Sequence, residues 1–96
     1  MHPEILISKI KSRIRAKSHA ADEEVEDLIH AAEADMKKEG IVGTADDPLY
    51  LQALVLYCKA NYGYDKDTER FSDAYNSLKI SMALCGDYEE GAQDGD

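Results

Sequence analysis

The sequence predicts an all-α protein, a small bundle of about four helices that ends in a disordered acidic C-terminal tail. Helix-forming residues dominate its 96 positions, while glycine occurs six times and proline twice, which argues against a sandwich or a barrel. Apolar residues also recur at helical spacing through most of the chain. A chain of this length forms one domain and has little room for a deep cleft beside its core.

The first predicted helix runs from Pro3 to about Ala16, and proline suits the first turn of a helix. Its apolar residues share one face of a helical projection; they are Leu6, Ile7, Ile10 and Ile14. Between residues 8 and 17 every odd position is basic, which is also a period-two strand pattern. A helix is favoured because no second strand with a turn signal lies nearby to pair with it.

The second predicted helix runs from about Asp22 to Glu39. Its apolar residues have a spacing that only a helix places on one face; they are Val25, Leu28, Ile29, Ala32 and Met36. Acidic residues fill the first turns and two lysines the last turn, as the helix dipole favours. Gly40 follows, and we expect it to end the helix in the left-handed conformation.

The third predicted helix runs from Pro48 to about Tyr62, after a loop at residues 41–47. Asp47 is a natural N-cap for it, and proline suits the first helical position. The segment is apolar almost all round, so this helix should be the central and most buried one. Gly63 is expected to end it.

The fourth predicted helix has Asp67 as its N-cap and stops at Gly86. Its apolar stripe has heptad-like spacing and consists of Phe71, Tyr75, Leu78, Met82 and Cys85. Residues 87–96 hold five acidic residues and no aliphatic side chain larger than that of alanine. Such a segment cannot offset its ordering entropy by apolar burial. The chain should therefore divide into a helical domain over residues 1–86 and a disordered tail over residues 87–96.

Charge is distributed unevenly along the chain, whose net charge is −9. Residues 1–17 carry +4 and the remainder carries −13. An acidic protein is a poor general binder of nucleic acid, because that binding draws its affinity from neutralised phosphates. One basic end and an acidic remainder make the chain electrically complementary to another copy of itself.

The cysteines and the first residues predict the cellular compartment. Cys58 and Cys85 lack the spacing of a metal or redox motif, which is typical of reduced, buried thiols in an intracellular protein. The apolar stretch at residues 5–7 is too short for a signal sequence or a membrane span. The protein is therefore expected to remain in the cytoplasm of the cell that makes it.

No constellation of residues predicts catalysis or a cofactor. Asp27 and His30 have the i, i+3 spacing of a metal-binding pair, but a di-metal bundle needs a second such pair. A calcium-loop register that begins at Asp65 has Arg70 where a glycine is needed. Nothing in the spacing holds a histidine beside either cysteine. We therefore expect a protein that is not an enzyme and that holds no metal or cofactor.

The basic first helix has three interpretations: a solvated amphipathic helix, a membrane-surface helix or a protein-binding helix. Membrane binding is the weakest of them, because the rest of the chain would repel an anionic bilayer. For protein contact, the acidic start of the second helix is a complementary surface that every copy carries. A contact between two different patches is heterologous and closes into a ring if the rotation allows.

The order of these segments resembles the head-tail connector (adaptor) proteins of tailed bacteriophages and their prophage relatives. The resemblance covers about residues 4–88 and lies in the stretches ADEEVEDLIHAAEADMKKEG, DPLYLQALVLYCKANYGYD and ERFSDAYNSLKISMALCGDY. It implies a structural protein of the virion that forms an oligomeric ring beneath the portal. Such a ring would contact the portal protein and the next head-completion or tail protein. DNA would pass through its channel without specific binding, and no catalytic residue is implied.

In this interpretation the protein is made and assembled in the host cytoplasm and has no membrane partner. The residues expected at the contact between subunits are Lys9, Arg13, Arg15 and Lys17 on one copy and Glu23, Glu24 and Asp27 on the next. The alternative is a monomeric acidic regulatory protein that binds one basic partner protein. A third possibility is an enzyme subunit whose chemistry lies elsewhere.

Overall fold

Four α-helices make up the computed structural model of the protein, which describes residues 2–16, 18–62 and 67–89. In chain order, α1 spans Pro3–Ile14, α2 spans Ala21–Lys38, α3 spans Pro48–Asn61 and α4 spans Thr68–Cys85. The described residues form no strand, so the predicted all-α class is confirmed. Each predicted helix is present, and its ends lie within two residues of those expected.

α3 is the central helix, because it packs against each of the other three helices. Ala53, Leu54 and Cys58 are fully buried along it, as its nearly continuous apolar sequence predicts. The start of α3 is also as expected, since the Asp47 carboxylate accepts a hydrogen bond from the backbone N–H of Tyr50 at 3.0 Å. The apolar stripes of α1, α2 and α4 therefore converge on one helix.

α1 is a helix rather than a strand, and its apolar face packs against α2 and α3. Ile10 is fully buried there, and burying one large aliphatic side chain stabilises the fold by about 1.5–3 kcal/mol. The helix ends at Arg15, which adopts a left-handed conformation with a φ of 62°. This conformation costs a side chain other than glycine about 1 kcal/mol. A short connection then brings the chain to α2, whose end at Gly40 is left-handed, as predicted.

A polar cluster joins α4 to the C-terminal end of α2. Lys79 is only 8% exposed, although it interrupts the apolar stripe between Tyr75 and Met82. Its ammonium lies 2.8 Å from the Asp35 carboxylate and 2.6 Å from the Glu39 carboxylate. The hydroxyl of Tyr75 donates a second hydrogen bond to Asp35, at 2.7 Å. Two charges of α2 therefore compensate one lysine that α4 carries into the protein interior.

The end of the helical domain lies beyond Gly86, which ends α4 in a left-handed conformation as predicted. Tyr88 is 6% exposed, and its hydroxyl donates a hydrogen bond to the Asp47 carboxylate at 2.5 Å. The backbone N–H of Val42 also donates to the Tyr88 carbonyl oxygen. One aromatic side chain therefore holds residues 87–89 on the bundle, just past the expected domain boundary after residue 86. The rest of the predicted tail, residues 90–96, lies outside the described residues.

Tyr88→Phe should lower the free energy of unfolding by about 1 kcal/mol near neutral pH, because only its hydrogen bond to Asp47 is lost. Burial and the Asp47 carboxylate raise the pKa of Tyr88 from 10.0 to about 12. A folded pKa above the unfolded one means that this contribution is intact below pH 10 and is lost as the pH rises towards 12. Denaturant unfolding at neutral pH and at about pH 11 should show the difference between variant and wild type shrinking. An equal difference at both pH values would contradict this assignment.

The two cysteines differ in exposure, although both are predicted to be buried. Cys58 is fully buried in α3, and burial raises the pKa of its thiol to about 12. Cys85 is exposed, so the expectation of burial is wrong for this residue. Met82 is the last buried residue of α4, and the final turn of the helix extends past the core.

Candidate subunit interface

The basic residues of α1 lie on its outward face. Ile10 faces the core, whereas Lys9 and Arg13 are exposed along one flank of the helix. Arg15 is also exposed, at the left-handed end of α1, whereas Lys17 lies outside the described residues. The three described basic residues therefore present positive charge to the surroundings, as the sequence predicts.

The acidic residues at the start of α2 are exposed as well. Val25 and Ile29 occupy the buried face of α2, which places Glu23, Glu24 and Asp27 on other sides of the helix, in contact with solvent. Among the described residues, none of these three acids forms an ion pair within the subunit. The described members of the predicted basic and acidic sets are thus both available on the surface, and none of these described residues pairs with another within the subunit.

One ion pair does join α1 to α2 within the subunit. The Lys11 ammonium donates a hydrogen bond to the Asp22 carboxylate at 2.5 Å, and this bond holds the pKa of that carboxyl below its usual 3.8. Lys11 belongs to the opposite flank of α1 from Lys9 and Arg13, and it links α1 to the first turn of α2. Neither Lys11 nor Asp22 is among the residues expected at the contact between subunits. Their pairing was not predicted, because sequence spacing alone does not show which flank of α1 faces α2.

A groove runs between the first half of α1, α2 and the α2–α3 loop. Its floor is apolar and its rim acidic; the groove has a volume of about 300 Å³ and is lined by Pro3, Leu6, Ile7, Glu26, Ile29, His30, Glu33, Gly43, Thr44, Ala45 and Asp46. Glu26 and Glu33 lie on the same side of α2, one turn either side of His30. The groove therefore suits an apolar side chain that is flanked by positive charge.

Four large apolar side chains are exposed among the described residues; they are Ile5, Leu49, Ile80 and Leu84. No role is predicted for them: Ile5, Ile80 and Leu84 lie off the predicted buried stripes of their helices, and Leu49 lies in the helix that is predicted to be apolar almost all round. In the sequence, an apolar residue outside the expected buried face of a helix could have identified them, although single exposed residues of this kind are common. Ile5 differs from the others because it shares its surface with Lys9 and Arg13.

The described residues contain no group of three or more His, Cys, Asp or Glu side chains that could hold a metal ion. Asp27 and His30 both lie exposed on α2 without a further ligand beside them there. The calcium register that begins at Asp65 lies partly outside the described residues. None of the helices that are described has the length and apolar character needed to cross a membrane.

A comparison with protein families matches residues 6–89 to a family described as phage connector protein. No curated protein and no solved structure matches the chain. The matched region includes all four helices except the first three residues of α1, and it ends at Glu89, the last residue of the segment that Tyr88 anchors. The chain therefore belongs to the phage connector protein family and is related to the head-tail connectors of tailed bacteriophages.

Proposed function

We propose that this phage connector protein forms an oligomeric ring beneath the portal of a tailed bacteriophage or prophage. Membership of the family supports the structural connector role. The ring itself is supported by one observation: a single compact subunit exposes a basic surface on α1 and an acidic surface on α2. Two different complementary surfaces on one molecule give a head-to-tail contact, which repeats until the ring closes.

The proposed contact joins Lys9, Arg13, Arg15 and Lys17 of one subunit to Glu23, Glu24 and Asp27 of the next. Exposed ion pairs contribute only about 0.2–1 kcal/mol each, so several must act together with apolar contacts. They also set the orientation of the two subunits and accelerate their encounter. Assembly should therefore weaken as salt screens the charges.

The acidic character of the subunit supports a channel through which DNA slides. With a net charge of −9, the protein repels the phosphate backbone rather than neutralising it. In the proposed ring, DNA passes without specific binding, while the two open faces contact the portal protein and the next head-completion or tail protein. The subunits would assemble in the bacterial cytoplasm and remain in the virion.

Multi-angle light scattering of the full chain over a range of concentrations tests this function, with and without its portal protein. A connector should form a closed oligomer of fixed mass, either alone or on the portal, and added salt should shift it towards monomer. A protein that stays monomeric in both conditions and binds one basic protein instead would be the acidic regulator. That result would overturn the proposal.

A further inference from the structure

Ile5 is the exposed apolar residue that the electrostatic contact leaves unexplained. It lies on the outward face of α1 and is 60% exposed. Lys9 follows it after one helical turn and Arg13 after two, so the three residues form a row along the helix. Glu4 and the serines at positions 8 and 12 line the same face beside this row. The row thus presents one apolar side chain followed by two positive charges.

The groove between α1, α2 and the α2–α3 loop has the complementary character. Leu6 and Ile29 contribute to its apolar floor, and Glu26 and Glu33 to its acidic rim. A volume of about 300 Å³ is enough for one branched aliphatic side chain and the stem beside it. An apolar floor favours burial of such a side chain, while the rim favours basic neighbours.

We infer that Ile5 of one subunit inserts into this groove on the next subunit and is the apolar anchor of the ring contact. The inference rests on the proposed function and specifies it, because it names the side chain that supplies burial where ion pairs alone contribute little. Burial of a large aliphatic side chain is the larger contribution to such a contact.

The spacing of charges along α1 and α2 agrees with this placement. An α-helix rises about 6 Å over four residues, so Lys9 lies about 6 Å and Arg13 about 12 Å from Ile5 along the axis. On α2, Glu23 and Asp27 are also four residues apart. Both precede His30 and Glu33, the α2 residues that line the groove. An antiparallel α1 with Ile5 at the groove therefore has Lys9 beside Asp27 and Arg13 beside Glu23.

The exposed ridge on α4 is a poorer partner for the row on α1. Ile80 and Leu84 are exposed there, at 62% and 82%. Between Asp73 and Asp87, however, that face of the helix carries no acidic residue. A neighbouring α1 that placed Ile5 on this ridge would have fewer acidic partners for its basic residues than the groove and α2 provide. Charge complementarity thus selects the groove.

Ile5→Asp tests the inference, with Leu84→Asp as a matched control that adds the same charge at another exposed apolar position. Sedimentation analysis of the full-length chains should show that Ile5→Asp weakens self-association by about 10- to 100-fold. Leu84→Asp should assemble like the wild type. Circular dichroism should show an unchanged fold in both variants, because both side chains are exposed.

A mixing experiment tests the groove, which is the second side of the contact. Thr44→Trp places a large side chain at the groove, since Thr44 is exposed and lines it. This variant and Ile5→Asp should each assemble poorly, but a mixture should form a one-to-one pair through the remaining intact anchor and intact groove. Wild-type assembly by Ile5→Asp, or failure of the mixture to pair, would overturn the inference while the ring remained. A wild type that never assembles, alone or with the portal, would overturn the proposed function as well.

Discussion

Arg13→Glu combined with Lys17→Glu is expected to leave a folded monomer where the wild type forms rings. The double variant turns the attraction of Arg13 to Glu23 of the neighbour into repulsion between like charges, and such repulsion can amount to several kcal/mol across an interface. The fold should be unaffected, because Arg13 is exposed and its charge is unpaired within the described part of the subunit. Light scattering gives the mass, and circular dichroism gives the helix content.

Lys37→Glu combined with Lys38→Glu is the matched control. It makes the same change in net charge on exposed lysines at the last turn of α2, away from the proposed contact. This control should still form rings, with only the weak general repulsion that a more negative protein experiences. Loss of rings in the control would mean that net charge, and not the α1 row, governs assembly.

Complementary reversal provides the rescue. A chain with Glu23→Lys and Asp27→Lys should also be monomeric alone, but it should pair with a chain that carries Lys9→Glu and Arg13→Glu, because Lys9 faces Asp27 and Arg13 faces Glu23 in the proposed contact. The acidic α1 of the latter then meets the basic α2 of the former, which restores one attractive contact. If rings persist in both reversed chains, the assignment of these residues to the interface is wrong.

Lys79→Met is expected to lower the free energy of unfolding by about 2 kcal/mol and the melting temperature by about 8–16 °C. Methionine keeps the packing of the lysine stem but leaves Asp35 and Glu39 facing each other without their shared cation. Removal of one partner from a fully buried pair costs about 3–5 kcal/mol, and the smaller value reflects the partial exposure of both carboxylates. Thermal and denaturant unfolding measure the change.

Lys37→Met is the control for that substitution, because Lys37 is exposed and should change stability by less than about 0.5 kcal/mol. The pH dependence gives a second readout. Hydrogen bonds from Lys79 and Tyr75 hold the pKa of Asp35 below its usual 3.8. The resulting stability is present above that value and is lost as the pH falls through the lower folded pKa. Lys79→Met should therefore show a weaker acid dependence; an unchanged one would contradict the role of the cluster.

Much of the fold could be predicted from local sequence, because local signals and burial agree in most segments. Asp47, Pro48 and Gly86 mark helix ends by their own backbone and side-chain chemistry. The burial of Lys79 could not be predicted in this way, since its partners on α2 lie 40 or more residues away in the chain. The burial of Tyr88 could not be predicted either, because the acidic composition around this single aromatic residue favours a disordered segment.

The exposure of the charged residues at the candidate interface could be predicted from local sequence. The contacts they make could not, because those contacts depend on how separate segments pack together. Amphipathic spacing places Lys9 and Arg13 on a flank of α1 outside its apolar stripe, so their exposure could be predicted from the helix alone. The pairing of Lys11 with Asp22 depends on the angle between two helices, which no local pattern contains. The groove is likewise formed by three separate segments, and its acidic rim becomes a single surface only in the folded chain.

The hydrogen bonds that fasten Tyr88 to Val42 and Asp47 have a practical consequence for anyone who attaches an affinity tag or fluorescent protein. A label attached at Glu89 would lie beside the α2–α3 loop, one wall of the proposed docking groove. A label attached at Pro3 would lie at the start of the helix that carries the anchor and at the groove itself. Labels at both positions would thus border the same contact, and measurements of assembly are best made on unlabelled material.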